Sequence, residues 1–253
     1  MSTRSRWRAG RDLMVDAWDM TLQASRWGFA DARFVNASAR AYIATGRGMA
    51  QRLLRRIEGC EARRARLRSR DDLSARLGDL DALARLPSNS LGQRYVRYLE
   101  HHGIPPIYAL LEAIELEARA TRYGWSDDER WVIRRVFEEH DLWHVLCDYS
   151  ATPAGEWHLN AFSYPSLGNR TTFVFGFLAP FLGRPEAGWR ACIGGLLAAY
   201  RRGLRCDLFG RDYRTMLDWD VDRVRAAVGL SPFEAAHPDG ITEMRKRTAA
   251  RAA

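Results

Sequence analysis

Residues 126–156 decide the fold, and they read SDDERWVIRRVFEEHDLWHVLCDYSATPAGE. Ser126 followed by Glu129 is a capping box, in which the serine caps the first turn of a helix and the glutamate reaches back to the cap. Apolar residues then recur at helical spacing, at Ile133, Val136 and Phe137. The stretch therefore predicts a capped amphipathic helix that runs to about Cys147.

Two histidines continue the apolar stripe of this helix. His140 and His144 are four residues apart, so their rings lie on one helix face, about one turn apart. Asp141 precedes His144 by three residues, and its carboxylate can turn towards the same point. Water cannot easily satisfy both imidazoles on a buried stripe, which makes metal binding a candidate role for them.

A turn and a second helix follow. Asp148 to Ala151 is predicted to turn, and Thr152 to cap a helix with Pro153 at its first position. We expect this helix to fold back antiparallel, so that Glu156 faces the histidines. The candidate ligands of a divalent metal, zinc or iron, are His140, Asp141, His144 and Glu156. Histidines spaced HxxxH are common on helices, and HExxH is absent here, so two core histidines are an equal alternative.

The rest of the chain has mainly helical patterns. Glycine, proline and capping residues separate the segments, which we place at residues 13–24, 30–58, 71–86, 91–101, 107–123, 189–202 and 220–228. Residues 168–184 are ambiguous, and the run from Thr171 to Phe175 could form a strand. The prediction is an all-α, single-domain helical bundle over residues 13–235, with a basic tail at 1–12 and a polar tail at 236–253.

A second histidine pair, His101-His102, closes the segment 91–101 ahead of Gly103. Histidine near a helix C-terminus is stabilised by the helix dipole. We therefore interpret this pair as structural rather than as metal ligands.

The composition narrows the class of protein. The chain has 253 residues, of which 47% are hydrophobic, and this is enough apolar material for a core and excludes wholesale disorder. Its four cysteines form no CxxC pair, which indicates free thiols in a reducing compartment. The longest apolar run, Phe173 to Leu182, is shorter than the ~18 residues that span a bilayer. The expected location is cytoplasmic.

Positive charge is concentrated in one region. The net charge is +8, and arginines cluster at positions 52, 55, 56, 63, 64, 66, 68 and 70. A solvated helix face is one interpretation, and binding to anionic lipid is another. Nucleic acid is disfavoured as a partner, because no zinc finger or RNP-like motif accompanies the charge.

Three blocks of sequence resemble a known family. His140, Asp141, His144 and Glu156 match the HDxxH-x11-E signature of the coenzyme Q (ubiquinone) biosynthesis protein four family with no insertion. Residues 86–95, LPSNSLGQRY, are similar to its LPxxSLGxxY segment, and residues 220–230 are similar to its closing helix. The chain departs from the family at Cys147-Asp148, where Thr-Gly is common, and at Asn160, where Gln is frequent.

The resemblance implies a function in ubiquinone biosynthesis. The family's proposed reaction is oxidative decarboxylation of a polyprenylated benzoate ring, in which the carboxylate at ring carbon one is exchanged for hydroxyl. It also implies bound zinc, a peripheral position on the inner membrane, and partners among the other ubiquinone biosynthesis proteins. A second copy of the chain, forming a homodimer, is a further candidate partner.

The expected site roles follow from this reaction. His140, Asp141, His144 and Glu156 would bind the metal, Asp141 and Glu156 would also serve as acid or base, and Tyr149 would handle a proton nearby. Zinc is redox-inert, so iron is the alternative metal. The apolar segments 173–182 and 193–199 would line a groove for the isoprenoid tail, or belong to the core. The rival functions are a lipid-binding scaffold with a structural metal and a metallohydrolase unrelated to quinones.

Overall fold

The computed structural model describes residues 7–15, 32–70 and 72–243, with the side chains of residues 32 and 182 excepted, and this part of the chain contains helices and no strand. Residues 7–15 are helical and form the described part of α1. The following helices are α2 (Ala32–Glu58), α3 (Glu61–Ser69), α4 (Leu73–Gly78), α5 (Leu80–Ala84), α6 (Leu91–His102), α7 (Ile107–Ala113) and α8 (Leu116–Arg122). The remainder are α9 (Asp127–Cys147), α10 (Pro153–Leu167), α11 (Arg170–Phe173), α12 (Trp189–Leu204), α13 (Val221–Val228) and α14 (Phe233–Ala236). The predicted all-α class is confirmed.

The central helix α9 begins as its sequence predicts. The Ser126 hydroxyl accepts from the Glu129 backbone N–H, and the Glu129 carboxylate accepts from the Ser126 N–H, which completes the capping box. Arg47 and Gln51 of α2 also donate to the Glu129 carboxylate. The cap of α9 is therefore tied directly to the long helix α2, against which α9 packs.

Helix α10 packs chiefly on α12, along a seam of close backbone approaches. A methyl group on Gly203 would lie 1.8 Å from the carbonyl oxygen of Phe162, and one on Gly195 would lie 2.7 Å from Nε2 of His158. Glycine at these two positions lets the helices approach more closely than side chains would permit. These close approaches fix the position of the middle of α10 against α12.

The structure corrects two expectations about local structure. The segment predicted as one helix at 107–123 is two, α7 and α8, because Glu115 adopts a left-handed backbone conformation with φ 51°. The strand alternative at 171–175 is wrong. There the chain continues from α11 through a π-helical turn (Val174–Leu178) and a 3-10 turn (Ala179–Leu182), and Gly176 lies against the backbone of α10.

Residues 236–243, placed by prediction in the polar tail, lie against the body of the protein. The backbone N–H of Glu186 donates to the carbonyl of Glu243 at 2.8 Å. The Thr152 hydroxyl, at the start of α10, donates to the Glu243 carboxylate at 3.0 Å. Residues 1–6 of the predicted basic tail, residues 16–24 of the helix predicted at 13–24, and residues 244–253 lie outside the described residues.

Most arginines of the basic cluster bind partners within the fold. Arg52 and Arg56 of α2 donate to backbone carbonyls at the end of α10, and Arg66 donates to the carbonyl of Gly210. Ion pairs join Arg56 and Arg63 to Asp207, Arg64 and Arg68 to Glu61, and Arg70 to Asp128. Much of the cluster's charge is therefore used to join α2 and α3 to their neighbours.

Candidate metal centre

Three side chains from two helices meet where α9 ends and α10 begins. His140 and His144 lie on the last two turns of α9, and Glu156 lies in the first turn of α10. One ligand atom from each can be chosen so that all three lie within 4.8 Å of one another. Among the described residues this is the one group of at least three potential ligands with that geometry.

The turn between the helices positions Glu156. Asp148 ends α9 in the left-handed conformation, with φ 58°. Thr152 then caps α10 by accepting from the Gly155 N–H, with Pro153 next to it. A methyl group on Gly155 would lie 1.9 Å from the carbonyl oxygen of Ser150, so glycine at this position allows the turn to close. The residue directly after this glycine is Glu156, whose location depends on that close approach.

Both imidazoles are oriented by hydrogen bonds to Nδ1. Nδ1 of His140 lies 3.1 Å from Oδ1 of Asp141, and Nδ1 of His144 lies 3.0 Å from the backbone oxygen of Tyr149. With a proton on each Nδ1, the two Nε2 atoms are left as lone-pair donors. They face the Glu156 carboxylate, at 3.6 Å from His140 and 3.2 Å from His144.

The site has a buried floor and an accessible rim. The His144 side chain is fully buried, whereas the side chains of His140 and Glu156 are 35% and 38% exposed. A small ligand can therefore approach from the side of His140 and Glu156.

The charges around Glu156 and His140 shift the pKa values of both side chains. Burial alone would raise the pKa of Glu156, but the two neighbouring histidines lower it to about 2. Burial would likewise lower the pKa of His140, but its hydrogen bond to Asp141 and the charges of Glu156 and Asp141 raise it. Glu156 is therefore a carboxylate at any physiological pH.

These residues fit a divalent metal ion. Nε2 of His144 is buried and has no hydrogen bond of acceptable geometry among the described residues, even though Glu156 lies close to it. A buried polar atom without a partner is destabilising unless a ligand or water satisfies it. Two imidazole nitrogens and one carboxylate are a ligand set that binds zinc or iron.

The structure brings three of the predicted site residues together and leaves the other two outside that group. His140, His144 and Glu156 come together, while Asp141 is turned to Nδ1 of His140 and is not part of the three-residue group. The Tyr149 hydroxyl lies 2.9 Å from Nε2 of His237, and Tyr149 contacts the site through its backbone oxygen.

Sequence reasoning missed two side chains that border the site. Tyr98 of α6 stacks on the ring of His144, with centroids 5.4 Å apart and an interplanar angle of 24°. His102, interpreted above as structural, packs edge-on against Tyr98 at 4.7 Å and accepts from the Ala151 N–H at 3.4 Å. Tyr98 and His102 are four residues apart, so the helical period was a usable signal that one face of α6 carries both.

A second surface feature of the molecule is the exposed region around α11 and α12, here named the apolar–arginine face. Its exposed apolar members are Phe173, Val174, Leu178, Phe181, Trp189, Ile193 and Leu197. Phe181 stacks on Trp189 at 5.0 Å, which joins the 3-10 turn to α12. Residues 170–205 also carry five exposed arginines, at positions 170, 184, 190, 201 and 205, against one acidic residue that is exposed, Glu186. The predicted groove segments thus contribute several exposed side chains to this face.

No helix within the described ranges has both the length and the apolar character needed to cross a bilayer.

Comparison with known proteins adds an independent line of evidence. The model of the family described as "Coenzyme Q (ubiquinone) biosynthesis protein Coq4" matches residues 14–234. Ubiquinone biosynthesis protein COQ4, mitochondrial, of Phaeosphaeria nodorum is 30% identical over 183 residues, 71% of this chain and 57% of that protein. The protein of the same name in Meyerozyma guilliermondii is 24% identical over 201 residues, 78% of this chain and 59% of that protein. The matched regions thus span little more than half the length of these relatives.

A solved structure shares the fold. The crystal structure of a protein from Nostoc punctiforme PCC 73102, assigned to ubiquinone biosynthesis, superimposes with a TM-score of 0.59 at 19% identity. The match covers 88% of this chain and 99% of the other.

Proposed function

The chain belongs to the coenzyme Q (ubiquinone) biosynthesis protein Coq4 family, and from this premise we propose that it is a metal-dependent enzyme of ubiquinone biosynthesis. Its substrate would be a polyprenylated benzoate ring, and its reaction the exchange of the carboxylate at ring carbon one for a hydroxyl. The observation that carries the proposal is the convergence of His140, His144 and Glu156 on one point.

The number of converging ligands supports catalysis over a purely structural metal. Structural zinc sites are closed by four protein ligands, whereas catalytic sites keep a position for water or substrate. Three residues converge here. A divalent ion held by them, zinc or iron, would supply Lewis acidity and a template for the substrate's carboxylate or phenolate oxygen.

The surrounding groups have separate tasks. Asp141 holds the proton on Nδ1 of His140 and, at 13% side-chain exposure, is the group we assign to proton exchange beside the site. The backbone oxygen of Tyr149 does the same for His144. Glu156 supplies the negative charge that offsets a divalent cation. The Tyr149 hydroxyl is hydrogen-bonded to His237. For this hydroxyl to take a direct part in the reaction, a proton would have to pass through another group.

The reaction also needs an oxidant. Replacing an aryl carboxylate by hydroxyl releases CO2 and removes two electrons from the ring. Zinc cannot accept them, so dioxygen or another two-electron acceptor must take part; iron in the same ligands could participate directly. The identity of the metal therefore separates two chemical routes.

Metal content tests the proposal first. Mass spectrometry of the purified protein should find about one ion per chain in the wild type, and His144→Ala should lose it. His101→Ala is the matched control, because this histidine is exposed and lies outside the three-residue group. Well-folded wild-type protein that binds no zinc or iron after reconstitution would overturn the metal centre.

Quinone synthesis separates the enzyme from the scaffold. In a strain that lacks its own family member, Glu156→Gln should still fold and yet fail to restore ubiquinone. Normal ubiquinone with this variant would refute the catalytic role and leave a lipid-binding scaffold that organises the other biosynthetic proteins. Ubiquinone unaffected by loss of the chain altogether would instead favour a metallohydrolase outside the pathway.

The apolar–arginine face supports a peripheral position on the inner membrane. Exposed aromatic and aliphatic side chains can enter the headgroup region, and arginines around them attract anionic lipid. Each lipid-facing arginine contributes about 1 kcal/mol near such a surface. We assign this face to an anionic bilayer, which would also bring the isoprenoid tail of the substrate to the protein.

Vesicle binding tests this assignment. The protein should co-sediment with vesicles containing phosphatidylglycerol, less with pure phosphatidylcholine, and less in high salt. The double variant Ile193→Ser, Leu197→Ser should lose binding, while Tyr108→Ser, an exposed aromatic on α7, should retain it. Failure to bind vesicles, with a dimer in light scattering that the double variant abolishes, would show that a second copy covers the face instead.

A further inference from the structure

Helix α6 supplies a wall of the metal centre that the ligand motif does not contain. It packs against α9, and Tyr98 on its last turns lies between His144 and His102. The tyrosine ring lies nearly parallel to that of His144, at 24°. Tyr98 thus covers one side of a candidate metal ligand.

The hydroxyl of Tyr98 lies in a buried environment. It has no hydrogen-bond partner among the residues that the structure describes. A buried donor without a partner loses its bonds to water and gains nothing in return, so such a group asks for an explanation, which is often a ligand, ion or water. The hydroxyl of Tyr123 donates to Asp12 and that of Tyr213 donates to the carbonyl of Leu208, whereas the buried hydroxyl of Tyr95, also on α6, shares the condition of Tyr98. Tyr98 differs from Tyr95 in that its ring is stacked on the candidate metal ligand His144.

The chemistry of this hydroxyl determines which ligand suits it. A phenol is protonated at neutral pH, so the hydroxyl can donate a hydrogen bond. The complementary partner is an oxygen that bears negative charge and lies beside the histidines and Glu156.

We propose that the Tyr98 hydroxyl donates a hydrogen bond to the oxygen ligand, a water or an aromatic carboxylate, that completes the coordination of the metal. This inference rests on the proposed metal centre and adds a ligand-binding residue to it. The bond would hold the incoming oxygen beside His144, on which Tyr98 is stacked, where Asp141 and Glu156 offer acceptors but no donor.

Cobalt-loaded protein provides a readout independent of turnover. Co2+ bound by His140, His144 and Glu156 has visible absorption bands that change when an anion enters its coordination shell, and 4-hydroxybenzoate is the probe. Tyr98→Phe keeps the ring stacked on His144 and removes only the hydroxyl. We expect this variant to bind Co2+ with wild-type affinity and 4-hydroxybenzoate about 10- to 100-fold more weakly, as for the loss of one hydrogen bond to a charged group.

Thermal unfolding of the metal-free proteins gives a second readout. Tyr98→Phe should unfold at the wild-type temperature or above, because the lost hydroxyl had no partner. Tyr213→Phe, which removes a hydroxyl that has a partner, should unfold earlier and bind the probe normally.

The outcomes are distinguishable. If the wild type binds no Co2+, the metal centre itself fails and the inference fails with it. If the wild type binds Co2+ and the probe, and Tyr98→Phe binds the probe equally well, the inference alone is overturned. Cobalt bands that do not respond to 4-hydroxybenzoate in the wild type would also overturn it, since no open position would then exist beside Tyr98.

Discussion

Replacing Gly155 by alanine should damage both stability and metal binding, although alanine is the better helix former. A methyl group here would lie 1.9 Å from the carbonyl oxygen of Ser150 and 2.6 Å from its hydroxyl. Ordinary contact begins near 3.4 Å, so the first turn of α10 and the preceding turn must separate by about 1.5 Å. A backbone carbonyl cannot rotate out of the way as a flexible side chain would.

The magnitude follows from two opposing effects. Gly to Ala inside a helix stabilises by about 0.5–1 kcal/mol. Overpacking against a rigid neighbour destabilises by about 1–3 kcal/mol and occasionally more, and a contact with backbone belongs at the upper end. We expect Gly155→Ala to lower the free energy of unfolding by roughly 2 kcal/mol.

Metal affinity should fall as well, because Glu156 is the next residue. Metal–ligand distances tolerate changes of only about 0.2 Å, which is far less than the displacement required. We expect zinc to bind at least about tenfold more weakly, a loss of about 1.4 kcal/mol. Urea unfolding of the metal-free protein and competition against a chelator would measure the two quantities.

Gly194→Ala is the matched control. No described atom outside its own helix lies within 4 Å of a methyl group at this position of α12, so the variant should gain about 0.5–1 kcal/mol and bind zinc as the wild type does. The reasoning is refuted if Gly155→Ala has wild-type stability and affinity. Lower stability with unchanged zinc affinity would show that the turn at Ser150 is displaced and that α10 keeps its position.

Two further predictions concern histidines inside and outside the site. Asp141→Asn should weaken zinc binding by about 10- to 100-fold, because Asp141 orients the His140 ring. The affinity is measured by competition against a chelator at a pH where His140 is neutral. A loss as complete as that in His144→Ala would show that Asp141 is itself a ligand. Burial, with the nearby charges of His158 and Arg202, lowers the pKa of His237 from 6.5 to about 4. Between pH 6.5 and about pH 4, His237 is therefore protonated in the unfolded chain but not in the folded chain. Stability should therefore decrease as pH falls through this range, by up to about 3 kcal/mol. Urea unfolding over a pH series should show a shallower decrease for His237→Asn, and an identical slope would contradict the assignment.

Local signals explain what sequence reasoning predicted well. The box at Ser126 and Glu129 and the cap at Thr152 each use hydrogen bonds that span three residues. Such contacts are made whenever the segment is helical, so the boundaries of α9 and α10 can be read without knowledge of the fold. The spacing of His140, His144 and Glu156 is local in the same sense, since only a short turn separates them.

Contacts between distant segments explain what it missed. Gly176, directly after residues 171–175, lies against the backbone of α10, and neither segment encodes that approach by itself. The hydroxyl of Tyr149 lies 2.9 Å from Nε2 of His237, which is 88 residues away in sequence. It is not directed to His144, although the backbone oxygen of Tyr149 is hydrogen-bonded to Nδ1 of His144. Glu115 shows the same limit, because nothing in its local sequence calls for a left-handed conformation.

The helical class, the caps of α9 and α10, and a candidate ligand set whose members lie within seventeen residues of one another could be inferred from the chain alone. The tertiary structure alone decided which of those carboxylates faces the histidines and that Tyr98 of α6 covers His144. It also decided that the apolar segments around α11 and α12 lie partly on the surface. The physical reason is the range of the interactions. Hydrogen-bonded caps and helical period act over a few residues, whereas the approach of one helix to another depends on the packing of the whole core.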